Sequence, residues 1–496
     1  MKVKQKVLAY SAHIAILSSI LFSPYSNAAN YDLLEPPKTD LFESSGFFIQ
    51  NLAEEKEGGY VSILKKIKKK ETGEARQEIL DALKKSPIDP TLYNFLGVID
   101  AGEKKYNAAK KNYLKAIEID ENYTAAYLGL AEIAIFEKQF NQAKKYYAQL
   151  IRINSNNYGA YIVLARLLYK EGDTKKAVES LLKGYRGVEG SVGVKTRLLE
   201  ILGQLYVVEK QPEKFLSLAQ GLAKRYPGNS SVLSVLADAQ LSNGEKKDAE
   251  KTLFKVISIE PQNVKQRVML VKLLGSQTGK EKQAIEQLDR LIALNPNKLQ
   301  LMSLKVDYLI RIKRFNTALT VASEVHNKFP KQELGSHLSG DIYRAEKDFK
   351  KALDAYRQAY HIEPRENTLF LIADILVKQG KQMEVIELLE SELKKRSEAF
   401  GIHLYLANLY LAKSDFDKAE VHFERVLSQN PNNVLGLNNL AWLYLQKGEE
   451  AKALPLAKKA FELAPKDVNI ADTYSSILLK NGNRKKANAV LKSVSK

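Results

Sequence analysis

The chain has 496 residues, more than one compact core accommodates, and its 45% hydrophobic and 27% charged residues are typical of a folded protein. The absence of cysteine excludes disulfides, thiolate metal sites, a cysteine nucleophile and a lipid-bearing cysteine. The formal net charge of +18 is compatible with binding to nucleic acid, anionic lipid or an acidic partner. The lysines are scattered along the chain, however, which favours their being solvated residues on helix surfaces.

Residues 1–28 are predicted to be a signal peptide. A basic start precedes the apolar stretch 7–22, and the small residues Ser26-Asn27-Ala28 then suit cleavage near Ala28/Ala29. The alternative is an uncleaved membrane anchor, but the apolar stretch is short for a span and polar side chains interrupt it. We expect a periplasmic or secreted protein with no nucleic-acid partner, which is not an integral membrane protein after cleavage. Cleavage removes three lysines and no acidic residue, so the mature net charge is +15.

The next two segments lead into the main part of the chain. Residues 29–55 are predicted to be a linker, because Glu35-Pro36-Pro37 interrupts any helical pattern. Residues 56–89 are predicted to form a degenerate helical repeat. Ala75, Ile79, Ala82 and Pro87 in this segment have the spacing of the second half of the units that follow.

From Pro90 to the end, one pattern of large and small apolar residues recurs with an offset of 34 residues. Within each unit the apolar residues have helical spacing, polar turns separate two helices, and proline often follows the second helix. Two consecutive units show the pattern: His403, Leu406, Ala407, Tyr410, Ala419, Phe423, Val426, Pro431, and then Leu437, Leu440, Ala441, Tyr444, Ala453, Ala457, Ala460, Pro465.

This pattern resembles the tetratricopeptide repeat family. The resemblance implies an all-α, right-handed superhelical solenoid of stacked helix-turn-helix repeats, with about twelve repeats in residues 90–496. Alanine at the eighth and twentieth positions of a unit would let its two helices approach closely, and stacking would bury the apolar face that one pair leaves open. The third unit departs from the frame, and we predict an inserted loop at Gly184–Gly190.

No pattern of catalytic residues emerges from the sequence. The histidines lack metal-ligand spacing, and the chain has neither a glycine-rich phosphate loop nor a nucleophile elbow. We therefore expect no enzyme activity, no metal site and no cofactor. Many of the 25 tyrosines fall at repeat positions, where core packing is favoured over carbohydrate stacking.

The family resemblance implies a binding groove lined by the first helix of each unit, in which the fifth and ninth positions commonly face a ligand. From Asp238 to Asn408 the ninth positions are polar throughout and mostly acidic, opposite in sign to the chain as a whole. The alternative is that these polar ninth positions are ordinary solvated surface and bind no partner. Asn408 and Asn438 match fragments of a clamp for peptide carboxylates, but its basic residues are missing. The predicted partner-binding residues are Asp238, Asp307, Asp341, Asp374, Asn408, Asn438 and Trp442.

The C-terminal segment from Asn438-Asn439-Leu440-Ala441-Trp442 to Asp472-Thr473-Tyr474 resembles the tetratricopeptide proteins of bacterial exopolysaccharide and PEP-CTERM sorting systems. The resemblance implies an exported scaffold for protein–protein interactions in the cell envelope, acting in exopolysaccharide assembly or export or in surface-protein sorting. Two alternatives stay open. One is a solenoid that binds glycan directly, and the other is a secreted effector or adhesion factor that docks host proteins.

Overall fold

The structure is a computed structural model that describes residues 60–187 and 192–494. The predicted signal peptide, the predicted linker and residues 56–59 lie outside the described residues. The described helices divide into two compact units, one ending at Leu294 and one beginning at Asn295. We call them the N-terminal unit and the C-terminal unit.

All regular secondary structure in the described ranges is helical, in 26 helices. The N-terminal unit contains α1 Val61–Lys68, α2 Thr72–Lys85, α3 Pro90–Gly102, α4 Tyr106–Ile119, α5 Thr124–Phe136, α6 Phe140–Ile153, α7 Tyr158–Lys170, α8 Thr174–Gly187, α9 Val192–Val208, α10 Pro212–Arg225, α11 Ser230–Ser242, α12 Lys246–Ile259, α13 Val264–Gly275 and α14 Glu281–Leu294. The C-terminal unit contains α15 Leu299–Arg311, α16 Phe315–Lys328, α17 Leu334–Glu346, α18 Phe349–Ile362, α19 Glu366–Lys378, α20 Gln382–Lys395, α21 Phe400–Ala412, α22 Phe416–Gln429, α23 Val434–Lys447, α24 Glu450–Leu463, α25 Val468–Lys480 and α26 Arg484–Val494.

Local sequence signals set many of the helix ends. Asp89 caps α3 by accepting a hydrogen bond from the Thr91 backbone N–H at 2.8 Å, and Pro90 follows at the first helical position. Asn433 caps α23 in the same way through the Gly436 N–H at 2.7 Å. At the end of α23, Gly448 has φ +76°, a left-handed conformation that glycine adopts without steric cost. These signals confine each helix to its half of the repeat.

Within the N-terminal unit and within the C-terminal unit, consecutive helices pack against each other in pairs, and each pair stacks on the next. The predicted all-α class and the stacking of helix pairs are therefore confirmed within each unit. The alanines at the twentieth position, such as Ala109, Ala352 and Ala419, are completely buried. A Cβ atom on Gly340 would lie 2.5 Å from the ring of Tyr356, so the eighth position also has to be small. Close helix approach thus explains the small residues of the repeat.

The predicted loop at Gly184–Gly190 is wrong in its first half, because Gly184 to Gly187 form the last turn of α8. A Cβ atom on Gly184 would lie 2.8 Å from the Tyr161 ring, so this glycine allows α8 to pass close to α7. A glycine that suggests a loop in the sequence is here a packing residue within a helix. Residues 188–190 of the predicted loop lie outside the described residues.

Ion pairs with a sequence separation of 27 residues join successive repeats. Lys110 Nζ lies 2.9 Å from Glu137, and Arg357 Nη2 lies 2.7 Å from Glu384. The charges are reversed in the pair of Glu420 and Lys447, at 2.7 Å. Each pair connects the second helix of one repeat with a residue in or next to a helix of the following repeat, so part of the chain's charge is used within the stack.

Candidate partner-binding groove

All seven predicted site residues lie on first helices of their repeats, but they are divided between the two units. Asp238 lies on α11 of the N-terminal unit. The other six lie in the C-terminal unit, on five successive first helices: Asp307 on α15, Asp341 on α17, Asp374 on α19, Asn408 on α21, and Asn438 and Trp442 on α23. We call Asp307, Asp341, Asp374 and Asn408 the polar row of the C-terminal unit, and we treat Asp238 separately.

Asp307 is solvent-exposed and has no hydrogen-bond or ion-pair partner within the described part of the chain. The surrounding protein displaces part of its hydration, and the negative charge of Asp341 adds to this effect. Together they raise the pKa of Asp307 to about 6. The side chain is therefore ionised at neutral pH at an energetic cost. A cation bound at this place would remove that cost.

Asp341 is held by three neighbours. The Tyr356 hydroxyl donates to Asp341 Oδ1 at 2.6 Å, and Arg344 Nη2 donates to the same atom at 3.2 Å. His337 Nε2 lies 3.6 Å from the other carboxylate oxygen. Burial and the charge of Asp341 raise the pKa of the Tyr356 phenol well above its usual value, so the hydroxyl stays protonated and donates. The orientation of this carboxylate is therefore fixed before any partner binds.

Asp374 is held by a residue of the following repeat. The Tyr405 hydroxyl on α21 donates to Asp374 Oδ1 on α19 at 2.7 Å. The Tyr405 ring stacks on Phe370, with centroids 5.5 Å apart and planes at 11°. This bond and this stack connect two successive first helices, so they fix the spacing between neighbouring members of the polar row.

Asn408 continues the row through a chain of side-chain amides. Its Nδ2 donates to the Leu404 carbonyl at 2.8 Å, and its Oδ1 accepts from Asn439 Nδ2 at 2.7 Å. Asn438 Nδ2 donates to Asn439 Oδ1 at 3.1 Å. Asn438 is buried, so it acts on the row through Asn439 and presents no exposed group of its own. Trp442 is half-buried.

Asp238 lies in a different electrostatic setting. Lys265 Nζ lies 3.9 Å from its carboxylate, and the side chain is 27% exposed. Burial raises the pKa of Asp238 to about 6; the positive charge of Lys265 opposes this shift and the negative charge of Glu200 adds to it. The exposed ninth-position residue of the next repeat is Lys272, which is basic. Asp238 is therefore described by itself, and a single acidic stripe through both units stays a prediction.

Several residues that shape the polar row were not predicted from the sequence. Tyr356 falls at a repeat position for which core packing was favoured, whereas Tyr405 was not singled out; both rings are buried. Their hydroxyls nevertheless reach carboxylates 15 and 31 residues away. The signal in the sequence for further polar groups in the row was the polarity of Asn439, next to Asn438, and of Arg344, three residues after Asp341.

In the described ranges, no group of three or more His, Asp or Glu side chains has an arrangement that could hold a metal ion, and no helix is long and apolar enough to cross a membrane.

Comparison with known proteins agrees with this architecture. The tetratricopeptide repeat family matches residues 90–123, 136–184, 336–366, 370–433 and 404–468. The matched segments are therefore tetratricopeptide repeats. Arrays of such repeats present extended surfaces that commonly bind protein partners, and the fold is typically non-catalytic.

Individual relatives are distant. TPR repeat-containing protein YpiA of Bacillus subtilis is 24% identical over 226 residues, which cover 45% of this chain and 53% of that protein. Cellulose synthase operon protein C of Pseudomonas fluorescens is 26% identical over 300 residues, which cover 57% of this chain and 21% of that protein. This chain thus spans about half of the first relative and about a fifth of the second. The crystal structure of yeast Tom70 aligns with a TM-score of 0.36 and 14% identity, over 82% of this chain and 91% of that one.

Proposed function

We propose that this protein is an exported scaffold of the bacterial cell envelope, which holds protein partners together during exopolysaccharide assembly or export or during surface-protein sorting. The observation that carries the proposal is the polar row, whose members stand on successive first helices of the C-terminal unit. The similarity to a protein named for a cellulose synthase operon and the N-terminal signal-peptide pattern support the envelope setting.

The polar row suits a basic or hydrogen-bond-donating protein segment. Asp341 and Asp374 are oriented by tyrosine hydroxyls, so little side-chain freedom is lost when a partner binds. Asp307 carries a charge that its neighbourhood disfavours and that a lysine or arginine would compensate. Because the mature chain has a net charge of +15, a negative row also directs a basic partner to one place on an otherwise basic molecule.

Direct glycan binding is supported less well. Stacking on sugars needs exposed aromatic rings, whereas the repeat tyrosines Tyr113, Tyr147, Tyr356, Tyr410 and Tyr444 are buried. Their phenols serve helix packing and internal hydrogen bonds. We therefore propose that the scaffold acts on polysaccharide through its protein partners and does not bind it directly.

The proposal is tested by removing the charge of the row without changing its shape. We expect the triple variant Asp307→Asn, Asp341→Asn, Asp374→Asn to fold, because the retained amide oxygens still accept the tyrosine hydroxyls. Binding to proteins from an envelope extract should weaken by about 3-fold to 150-fold at low salt, since each of the three charges contributes ~0.2–1 kcal/mol. The difference should shrink at high salt because of screening. Affinity is measured for each captured protein after purification.

The matched control removes three carboxylate charges from exposed positions on second helices of the same unit, through Asp354→Asn, Glu387→Gln and Glu424→Gln. It changes the net charge equally but leaves the polar row intact. Binding should therefore stay as in the unchanged chain. If both triple variants weaken binding equally, the partner responds to overall charge and the row is only solvated surface.

Export makes a separate prediction. The mature chain should begin near Ala29 and should be recovered without detergent from the periplasm or the medium. Intact-mass spectrometry of the purified chain and cell fractionation measure this. A chain that retains Met1 in a membrane fraction would contradict the prediction.

A further inference from the structure

Two histidines meet between the helices of one repeat in the C-terminal unit. His403 on α21 and His422 on α22 place their Nδ1 atoms 2.8 Å apart, and their ring centroids are 5.1 Å apart. His403 is buried and His422 is half-buried. We call this contact the histidine pair. A distance of 2.8 Å between two ring nitrogens requires one proton between them.

The surroundings decide which histidine carries that proton. His403 Nε2 lies 2.8 Å from the Ser397 carbonyl oxygen, which can only accept, so Nε2 bears a hydrogen. In a neutral ring, His403 Nδ1 is then a bare acceptor. His422 must therefore donate from Nδ1, which leaves its Nε2 unprotonated. The geometry assigns one tautomer to each neutral ring.

The pair is also connected to the preceding repeat. The His422 ring stacks on Tyr410 with centroids 5.7 Å apart and planes at 6°. The Tyr410 hydroxyl donates to Glu390 on α20. The position of His422 is thus coupled to the contact between α20 and α21 as well as to its own repeat.

We propose that the histidine pair is a proton-sensitive latch, which holds α21 and α22 together while both rings are neutral and opens as the pH falls. A proton added to His422 Nε2 places a positive charge in a half-buried site. A proton added to His403 Nδ1 as well would set two N–H groups against each other across 2.8 Å. The open helix pair accepts the proton on His422 without the cost of burying its charge.

The surroundings of His422 disfavour its protonated form in the closed helix pair. Burial is the main cause of the lowered pKa of His422; the neighbouring His403 and the Lys418 ammonium on α22 lower it further, whereas Glu390 on α20 raises it. Together they lower the pKa of His422 from 6.5 to about 4. The open state binds its proton near 6.5 and the closed state only near 4. Opening is therefore unaffected above about pH 6.5 and is favoured about tenfold per pH unit as the pH falls from 6.5 towards 4.

The latch lies on a helix of the polar row. Tyr405 and Asn408 are on α21 and hydrogen-bond to Asp374 and Asn439. Opening of α21 from α22 would disturb these bonds, so mild acid should release a bound partner. This consequence rests on the proposed function, whereas the opening itself does not.

The test is hydrogen exchange of the full mature chain at pH 7 and pH 5, with rates corrected for intrinsic exchange. Peptides from α21 and α22 should lose about 10-fold or more of their protection at pH 5. Peptides from α23 and α24 should not, because the next repeat has Leu437 and Leu456 at the two equivalent positions. An equal pH response in both repeats would overturn the proposal, whatever the outcome of the partner-binding experiment.

The matched variant His403→Leu, His422→Leu converts the pair into the residues of the next repeat. Its α21 and α22 peptides should exchange alike at both pH values, and persistence of the acid response would contradict the latch. If this variant does not fold, 15N spectra of the histidine-labelled unchanged chain decide the matter. His403 should be protonated at Nε2 and His422 at Nδ1 at pH 7, and any other pair of tautomers would overturn the assignment.

Discussion

Replacing Tyr356 by alanine is expected to destabilise the repeat formed by α17 and α18 by about 3–5 kcal/mol. The Tyr356 ring is completely buried, and it fills the space that Gly340 leaves open on the facing helix. His337 packs against it edge-on at 5.5 Å. Truncation creates a cavity and also removes the hydroxyl that orients Asp341. Hydrogen exchange of the α17 and α18 peptides measures the loss.

The matched variant Tyr356→Phe separates packing from hydrogen bonding. It retains the ring but removes the donor to Asp341 and the acceptor for Arg344. We expect a loss of only about 1–2 kcal/mol. A loss as large as that of the alanine variant would mean that the polar contacts, and not the ring, stabilise this repeat. In both variants the damage should be confined to neighbouring repeats, because each repeat contacts only its neighbours.

Replacing Ala419 by leucine is expected to destabilise the repeat of α21 and α22 by about 1–3 kcal/mol. Ala419 occupies the twentieth position, where the two helices of the pair are closest, and it is completely buried. Three additional heavy atoms have no space there without separating the helices. Ala352 occupies the same position two repeats earlier, is equally buried and should respond in the same way.

The same substitution at an exposed alanine provides the control. Ala451 on α24 is exposed, so Ala451→Leu should change stability by less than about 0.5 kcal/mol. Chemical denaturation and hydrogen exchange of the corresponding peptides measure both variants. A similar loss at Ala451 would attribute the effect to leucine itself and not to the close helix contact. Exchange measured repeat by repeat is the appropriate readout, since a long array need not unfold in two states.

The sequence was sufficient to predict the architecture because the information is local and repeated. Helical spacing such as that of Leu437, Leu440 and Ala441 identifies one face of a helix, and all three residues are buried. The recurrence of alanine at the twentieth position indicates close packing of a helix pair, which the burial of Ala419 confirms. Each signal is weak in a single repeat, but it recurs with the same offset along the chain.

The sequence was less informative about the candidate site. The ninth-position frame continues from Asp238 to Asp307 with no mark of the division into two compact units after Leu294, so one acidic stripe through both units stays a prediction. The polarity of Asn438 suggested an exposed group, whereas its side chain is buried and reaches the row through Asn439. Polarity at a given position does not reveal whether a side chain faces solvent or another side chain.

By itself the sequence determined the helix pairs, their repeat length and which positions must be small, because backbone propensity, capping and apolar spacing act within a few residues along the chain. Only the tertiary structure decided that Tyr405 fixes Asp374 and that His403 and His422 share a proton. Those contacts join residues 31 and 19 positions apart. A change of about 1 Å in the separation of two helices is enough to break such a hydrogen bond. The separation of the helices results from the packing of the whole stack and not from the residues next to each contact.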